Sequence, residues 1–283
     1  MSILITGANG QLATEFIRRL GKSTAGRLIA LTRAQLDITD AKMVSDALSR
    51  FRPGVVINCA AYNLVDDAEK DFDTALRVNA VGVRNLAAAC RKVDALIVHY
   101  STDYVFDGTK EELYTEEDAP HPINKYGETK LAGERVLADE SDNFLLFRVS
   151  WVFGQGRQNF LYKISEWAKQ NKVLRIASDQ VSIPTSAEDI ATTTLAALEN
   201  GMRGTYHLTN GGYASRYEVA RYYGEKCGLS SLILPVPSDF FPAAARRPYF
   251  SAMSNRKISN ALAIRIPHWR DAVDRFVRRM EVR

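Results

Sequence analysis

Short apolar segments that alternate with longer helical patterns constrain the fold of this 283-residue chain more than any other feature. Each apolar segment is continuous rather than alternating, which is typical of strands that are covered on both faces. The segments are Ile3–Ile5, Leu28–Leu31, Val55–Ile57, Leu96–Val98 and Phe144–Phe147. Helical patterns lie between them, such as the one over Asp73–Lys92. This alternation predicts an α/β fold built on a doubly wound parallel sheet with right-handed crossovers.

The pattern becomes less regular after about residue 150. A helix over Thr185–Asn200 and a strand over Thr205–Leu208 are still clear, and a basic helix ends the chain, where Arg275, Arg278 and Arg279 are predicted to face solvent. We assign residues 1–152 to the sheet domain, with 180–201 returning to it. Residues 153–179 and 202–283 are assigned to a smaller α/β lobe over the carboxyl edge of the sheet, where ligands bind in such folds.

Composition excludes several classes of protein. The formal net charge is only +4 and the basic residues are spread along the chain, which argues against nucleic-acid binding. Cys59, Cys90 and Cys227 are too few and too widely spaced for a disulfide framework or a zinc site. No segment approaches the roughly 20 apolar residues that a membrane-spanning helix needs. We therefore predict a cytoplasmic protein without a metal ion, and the sequence leaves a homodimer open.

A glycine-containing turn follows the first predicted strand. It reads Gly7-Ala8-Asn9-Gly10-Gln11-Leu12-Ala13. Glycines let the backbone adopt unusual dihedral angles and approach a pyrophosphate, and the N-terminus of the following helix favours anions. Ala13 replaces the third glycine of the usual pattern with another small residue. The strand, turn and helix together predict a Rossmann-type dinucleotide site that includes Gly7 and Gly10.

The end of the second predicted strand bears on the choice of cofactor. An Asp or Glu at this position binds the ribose hydroxyls of NAD, whereas an arginine accommodates the 2′-phosphate of NADP. This chain has Thr32-Arg33 and no acid there. Arg33 is nearly as compatible with a solvated turn, so the sequence favours NADPH only slightly and leaves NADH open.

Two segments carry residue types suited to proton transfer. Thr102 lies at the carboxyl end of the fourth predicted strand, and Tyr126 and Lys130 open a predicted helix. A spacing of four places Tyr126 and Lys130 on one face of that helix. A nearby ammonium lowers the pKa of a phenol from its ordinary value of about 10 toward neutrality. We therefore predict that Tyr126 is a general acid–base, that Lys130 activates it, and that Thr102 hydrogen-bonds the same substrate oxygen.

With these motifs, the chain resembles the extended short-chain dehydrogenase/reductase family over essentially its whole length. Longer segments resemble the dTDP-4-dehydrorhamnose reductases within that family. They are Ser101–Gly108, Tyr126–Glu134, Arg148–Gly154, and Arg247-Pro248 with Ser251. The resemblance implies an NAD(P)H-dependent oxidoreductase that reduces the C4 ketone of dTDP-4-dehydro-β-L-rhamnose to dTDP-L-rhamnose. Its substrate partner would be a dTDP-4-keto-6-deoxy sugar.

The resemblance also implies roles for individual residues. Those expected along the cofactor are Gly10, Gln11 and Leu12 at the phosphates, Asp37 and Ile38 at the adenine, and Ala60, Ala61, Tyr62 and Tyr100 beside the remainder. Those expected at the substrate are Thr102, Asp103, Trp151 and Arg247. A diphosphate favours arginine partners, which supports the choice of Arg247. Asn79 is either structural or part of a proton relay.

One position separates this chain from related enzymes. The sugar-nucleotide 4,6-dehydratases resemble it but carry an Asp-Glu pair after the threonine, and eliminating water needs both acids. Here the pair is Asp103-Tyr104, which favours simple ketone reduction. Two alternatives stay open. One is a reductase of another nucleotide-4-keto-6-deoxyhexose, leading to a talose, fucose or antibiotic sugar. The other is a non-catalytic dinucleotide-binding regulatory subunit, against which the intact Thr102, Tyr126 and Lys130 argue.

Overall fold

A central parallel sheet organises the computed structural model, which describes residues 2–21 and 28–281. In chain order the strands are β1 (Ile3–Thr6), β2 (Leu28–Leu31), β3 (Val55–Asn58), β4 (Leu96–Thr102), β5 (Phe144–Val149), β6 (Val152–Phe153), β7 (Val173–Ala177), β8 (Val181–Ser182), β9 (Thr185–Ser186), β10 (Gly204–His207), β11 (Ala214–Ser215) and β12 (Leu232–Val236). The central sheet has six parallel strands in the order β10-β5-β4-β3-β1-β2. The chain winds outward from β1 in both directions, so the predicted doubly wound Rossmann-type sheet is confirmed.

Helices cover this sheet and build the smaller lobe. In chain order they are α1 (Gln11–Leu20), α2 (Ala41–Phe51), α3 (Phe72–Leu76), α4 (Gly82–Lys92), α5 (Lys125–Glu140), α6 (Phe160–Gln170), α7 (Ala187–Glu199), α8 (Arg216–Lys226), α9 (Arg256–Leu262) and α10 (Trp269–Glu281). A π-helical turn over Arg77–Val81 joins α3 to α4. The helix predicted over Asp73–Lys92 is therefore present, with a locally wider turn at its centre.

The two faces of the sheet pack against different helices. On one face, α1 and α7 contribute Phe16 and Ile190 to a buried apolar cluster. On the other, α2 and α4 contribute Leu48 and Leu86. Every residue of β1 and β3 is buried, which explains why both strands are apolar up to their last residues, Thr6 and Asn58.

A second apolar core lies in the smaller lobe, where α6, α8 and α10 surround the fully buried Trp269 and Tyr223. Strands β7 and β12 pair in parallel beside it. One boundary predicted from the sequence is wrong, because β10 pairs with β5 in the central sheet. Residues 204–207 therefore belong with the sheet domain and not with a lobe that begins at 202. Helix α7, in the returning segment 180–201, packs on α1.

Ion pairs tie the last helix to the sheet domain. Arg275 contacts Asp189 at 2.6 Å, and Arg279 pairs with Glu188, both acids lying in the first turn of α7. The prediction of a solvated arginine face is wrong for these two residues, because their partners lie on a helix remote in sequence. Across the described part of the chain, no helix combines the length and the apolar character needed to cross a membrane.

Candidate active site

The candidate site lies where the carboxyl ends of the central strands meet, the edge at which open α/β sheets bind ligands. A cleft of about 550 Å³ opens there between the sheet and the smaller lobe. Thr102, Tyr126 and Trp151 line it together with residues of α6 and α8. The structure thus brings together the end of β4, the start of α5 and the segment after β5.

Helix α5 begins unusually close to the end of β4. Asn124 caps the helix, its side-chain oxygen accepting a hydrogen bond from the Gly127 N–H at 2.8 Å. A Cβ on Gly127 would collide with the carbonyl oxygen of Tyr104, so this approach requires glycine. The close approach places the Tyr126 phenol within hydrogen-bonding reach of Thr102.

Burial controls the protonation of Tyr126. It raises the pKa of the Tyr126 phenol well above its ordinary value, and the hydrogen bond with Thr102 lowers that pKa by a smaller amount. The lowering expected from Lys130 is not observed, because desolvation of the phenol dominates. The phenol is therefore protonated at neutral pH, the state in which it can donate a proton.

Lys130 lies one turn further along α5 and is only 2% exposed. Its Nζ donates a hydrogen bond to the Tyr100 carbonyl oxygen at 2.6 Å. Burial lowers the pKa of Lys130 to about 8, while the charge of Glu134 acts in the opposite direction. Within residues 2–21 and 28–281, no carboxylate forms an ion pair with this ammonium. Lys130 thus keeps donor capacity free for a ligand.

Asp103 is buried at the wall of the cleft, where its carboxylate binds hydroxyl groups. Its carboxylate accepts hydrogen bonds from Ser182 at 2.8 Å, Ser251 at 2.5 Å and Thr102 at 3.1 Å. Burial raises the pKa of Asp103, and these hydroxyl groups lower it by less. Contact between Asp103 and the sugar stays a prediction. Within the protein, Asp103 positions Thr102.

The glycine turn has the geometry that a dinucleotide needs. Gly7 has φ +63°, and a Cβ there would lie 2.9 Å from the Ala60 nitrogen. Gly10 is the N-cap of α1 and provides no side-chain cap, and the first turn contains no acid. By contrast, side chains cap α2, α5, α6, α7 and α8. The first N–H groups of α1, at Gln11 and Leu12, thus remain available for phosphate oxygens.

The side chains of Gln11 and Leu12 do not add to this phosphate site. The Gln11 side-chain nitrogen donates to the Val152 carbonyl oxygen at 3.0 Å, and its Oε1 is buried without a partner among the described residues. The Leu12 side chain packs into the core, so Leu12 contributes to the site through its backbone alone. Gln11 Oε1 is an acceptor and cannot bind a phosphate oxygen, so it is the N–H groups at the start of α1 that fit a bound pyrophosphate.

Residues expected around the adenine have distinct positions. Arg33 is highly exposed, with 79% of its side chain accessible, and its Nε lies 3.3 Å from the Asp37 carboxylate. Burial raises the pKa of Asp37, but hydrogen bonds from Thr39 and Arg33 outweigh it, so the net pKa is lowered. The Ile38 side chain is buried against Gly82. Ile38 can therefore line an adenine only through its backbone.

The segment after β3 is fixed by Asn79. The Asn79 side chain accepts from the Tyr62 N–H and donates to the Tyr62 carbonyl oxygen, both at 2.9 Å, and also donates to Thr129 at 3.0 Å. Asn79 is therefore structural. Ala60 and Ala61 precede Tyr62 in this segment, directly beside the glycine turn.

Tyr100 presents its backbone rather than its side chain to the site, and its place along the cofactor stays a prediction. Its ring is buried in the sheet core and stacks on Phe147, with ring centroids 5.9 Å apart. Its hydroxyl lies 2.9 Å from that of Thr194. Only its backbone carbonyl reaches the site, as the acceptor for Lys130. The strand alternation that directs His99 to one face directs Tyr100 to the other.

Trp151 and Arg247, which were also expected at the substrate, differ in whether the protein already pairs their donor groups. Trp151 has φ +39°, a conformation rare for a bulky residue, and its Nε1 is buried without a described partner. Arg247 lines the same cleft but forms an ion pair with Asp66 at 2.6 Å. Trp151 thus has a free donor for a ligand, whereas Arg247 has its charge matched within the protein.

Four contributors were missed in the sequence: Gly127, Ser182, Asp66 and Arg216. The sequence shows Gly127 only as a glycine within a helix. Its role depends on the close contact with Tyr104, which the sequence does not reveal. Ser182 and Asp66 act through partners that are distant in sequence. Among the described residues, no cluster of His, Cys, Asp or Glu is suited to hold a metal ion.

Comparison with known proteins identifies the family. The family described as "RmlD substrate binding domain" matches residues 1–282. The chain belongs to this family. A dTDP-4-dehydrorhamnose reductase from Burkholderia thailandensis is 40% identical, with 98% of each chain covered. The resemblance predicted from the sequence motifs is therefore confirmed.

Two further comparisons bear on the chemistry. A dTDP-4-keto-6-deoxy-D-glucose reductase from Streptomyces niveus is 35% identical, over 95% of this chain and 94% of that one. The crystal structure of the dTDP-4-dehydrorhamnose reductase from Bacillus anthracis in complex with NADP is 33% identical with a TM-score of 0.95. That match covers 98% of this chain and 99% of the other.

Proposed function

We propose that this protein reduces the C4 ketone of dTDP-4-dehydro-β-L-rhamnose with NAD(P)H to give dTDP-L-rhamnose. The observation that carries the proposal is the arrangement at the carboxyl edge of the sheet, where Thr102 and Tyr126 line the cleft and the buried Lys130 lies one helical turn beyond Tyr126. The identity of the substrate is inferred from a dTDP-4-dehydrorhamnose reductase that is similar to this chain over nearly its whole length.

The dinucleotide fits the residues of the glycine turn. The open N-terminus of α1 would hold the pyrophosphate through its free N–H groups, and Lys130 would hold the nicotinamide ribose while anchored to the Tyr100 carbonyl. When bound, the reduced nicotinamide supplies the hydride that the ketone carbon accepts. A modest preference for NADPH follows from Arg33, the cation after β2.

The protein's own groups manage the ketone oxygen. Tyr126 is protonated at neutral pH and donates its proton to that oxygen as the carbonyl becomes an alcohol. Thr102 donates to the same oxygen by turning its single hydroxyl hydrogen away from Asp103, to which it donates when no substrate is bound. The ketone therefore gains one hydride and one proton, which completes the reduction.

Tyr104 accounts for the absence of dehydration. Its ring packs edge-on against Tyr126, with ring centroids 6.0 Å apart, at the position where the related dehydratases carry the second acid. A phenol next to a protonated phenol supplies no carboxylate to accept and return a proton. The reaction stops at ketone reduction.

A substrate comparison tests this proposal. NADPH consumption is measured with dTDP-4-dehydro-β-L-rhamnose and with dTDP-4-keto-6-deoxy-D-glucose, and the products are identified by NMR. Turnover with the first and formation of the rhamnose stereoisomer are expected. Turnover only with the second would assign the chain to the activity named for its Streptomyces niveus relative. Binding of cofactor without turnover would indicate the regulatory subunit.

Cofactor preference has its own measurement. The KM values for NADPH and NADH are compared in the wild type and in Arg33→Ala. A rise in KM that is confined to NADPH supports the role of Arg33. Equal KM values for NADPH and NADH in the wild type would contradict a role of Arg33 in cofactor preference.

Location and assembly follow as further proposals. Cys59 and Cys90 form no disulfide, which supports a location in the reducing cytoplasm. Light scattering of the purified protein tests the homodimer. A mass of a single chain would exclude it.

A further inference from the structure

Arg216 is a half-buried cation in the wall of the cleft. Its guanidinium lies 4.2 Å from the ring centroid of Trp151 and 5.3 Å from that of Phe160. Its Nε donates to the side-chain oxygen of Gln180 at 3.4 Å. In the described part of the chain, no carboxylate forms an ion pair with it. Arg216 is thus held in place by neutral groups, and its charge is unmatched.

Each of the other cations of the cleft either has its charge matched by a carboxylate or is exposed. Arg247 is ordered, but Asp66 matches its charge at 2.6 Å. Lys163 and Arg175 are exposed, so each would lose side-chain entropy on binding a ligand. Among the described residues that line the cleft, Arg216 alone combines fixed orientation with a free charge. Such a planar, stacked guanidinium is preorganised for bidentate contact with phosphate oxygens.

The N-terminus of α8 is not itself the anion site. Ser215 and Glu218 form a capping box that occupies the N–H groups there, so only the Arg216 side chain presents a free cation at this place. The residue beneath the guanidinium, Trp151, follows the end of β5, next to the strand that ends at Thr102. Its buried, unpartnered Nε1 is a second indication of a ligand at this wall.

We infer that Arg216 binds the diphosphate of the nucleotide-sugar substrate while stacked on Trp151. The inference rests on the proposed function for the identity of the nucleotide. In this arrangement the sugar spans from the reacting groups at Tyr126 to the phosphates at Arg216. Arg247 then fastens the wall of the cleft to Asp66 and leaves the diphosphate to Arg216.

Ligand titration of the NADP⁺-saturated, full-length protein tests the inference. The probes are dTDP and thymidine, which differ only in the diphosphate. Arg216→Met should weaken dTDP binding about 10- to 100-fold, the usual cost of losing hydrogen bonds to a charged group. Thymidine binding should stay near the wild-type value. Arg216→Lys should recover part of the loss, because it restores the charge without the fork.

Arg175→Met is the matched control, since Arg175 is another arginine of the cleft but is exposed. It should leave dTDP binding almost unchanged. An unchanged dTDP affinity in Arg216→Met would overturn the inference. Equal losses for dTDP and thymidine would also overturn it, because they would show that Arg216 only supports Trp151. A wild type that binds dTDP no better than thymidine would contradict a diphosphate site as well.

This outcome is separable from that of the proposed function. Arg216-dependent dTDP binding without reduction of dTDP-4-dehydro-β-L-rhamnose would contradict the proposed reaction and support the diphosphate site. Normal reduction by the wild type, together with unchanged dTDP binding in Arg216→Met, would support the proposed reaction and contradict the diphosphate site.

Discussion

Two buried cations at neighbouring turns of α5, Lys130 on the helix and Arg148 on β5, are stabilised in opposite ways. Lys130 on α5 has the Tyr100 carbonyl as its hydrogen-bond acceptor, and burial lowers the pKa of Lys130 to about 8. Arg148 on β5 forms an ion pair with Glu134, one turn beyond Lys130, at 2.7 Å. One turn of the helix therefore carries an unmatched cation at the candidate site, and the next carries a matched pair.

The difference teaches where this protein accepts a cost in stability. A buried charge without a counter-ion lowers the stability of the fold. A buried pair avoids this cost as long as both partners are present. We interpret the region of Tyr126 and Lys130 as one that serves chemistry. The region of Glu134 and Arg148 serves the fold, and substitutions in the two regions should separate activity from stability.

Tyr126→Phe should have the largest effect, and on activity alone. Loss of the proton donor should lower kcat about 10²- to 10⁴-fold. The phenyl ring keeps the packing, so the unfolding free energy should change little. Steady-state kinetics and urea unfolding on the same preparation measure both. Turnover close to that of the wild type would show that another group protonates the ketone.

Arg148→Met should have the largest effect on stability. It leaves the Glu134 carboxylate buried without its partner, which costs about 3–5 kcal/mol in unfolding free energy. The kcat of the folded protein should stay near the wild-type value. If the variant is too unstable to purify, Arg148→Met combined with Glu134→Gln should recover stability, because the unpaired charge is removed. A double variant less stable than the single one would refute this account.

Lys130→Met should alter the pH dependence of stability. The pKa of Lys130 is about 8 in the folded protein and near 10.5 in the unfolded chain, so the unfolded state binds more protons between these values. The unfolding free energy of the wild type should therefore rise with pH in this window. Relative to Lys130→Met, we expect a gain of about 1–2 kcal/mol between pH 7.5 and 9.5. A constant or falling difference in urea unfolding would contradict the assigned burial.

Arg91→Met should have the smallest effect and is the control for Arg148→Met. Arg91 also pairs with an acid of α5, Glu140, but at 3.4 Å and with 62% of its side chain exposed. Exposed pairs contribute about 0–1 kcal/mol, so thermal and urea unfolding should barely change. A loss as large as that of Arg148→Met would show that burial does not distinguish the two pairs.

Sequence patterns predicted the parts of the molecule that depend on local spacing. The continuous apolar segments predicted the buried strands, and the four-residue spacing predicted that Tyr126 and Lys130 share a helix face. The glycine turn predicted the open N-terminus of α1. In each case the interacting residues are close in sequence or repeat with a regular period.

Tertiary partners could not be predicted in this way. Arg247 is paired with Asp66, 181 positions away, and Asp103 is occupied by Ser251, 148 positions away. β10 joins the central sheet through pairing with β5, which no local pattern specifies. The same applies to the pKa of Tyr126, because that pKa is raised by burial, which depends on tertiary packing.

The most direct test of the central claim follows the transferred hydrogen. The reaction is run with NADPH deuterated at the transferred position of the nicotinamide and with dTDP-4-dehydro-β-L-rhamnose, and the product is examined by NMR. The account predicts one deuterium, bonded to C4 of the product sugar. Consumption of the cofactor without deuterium at C4, or with deuterium at another carbon, would contradict it.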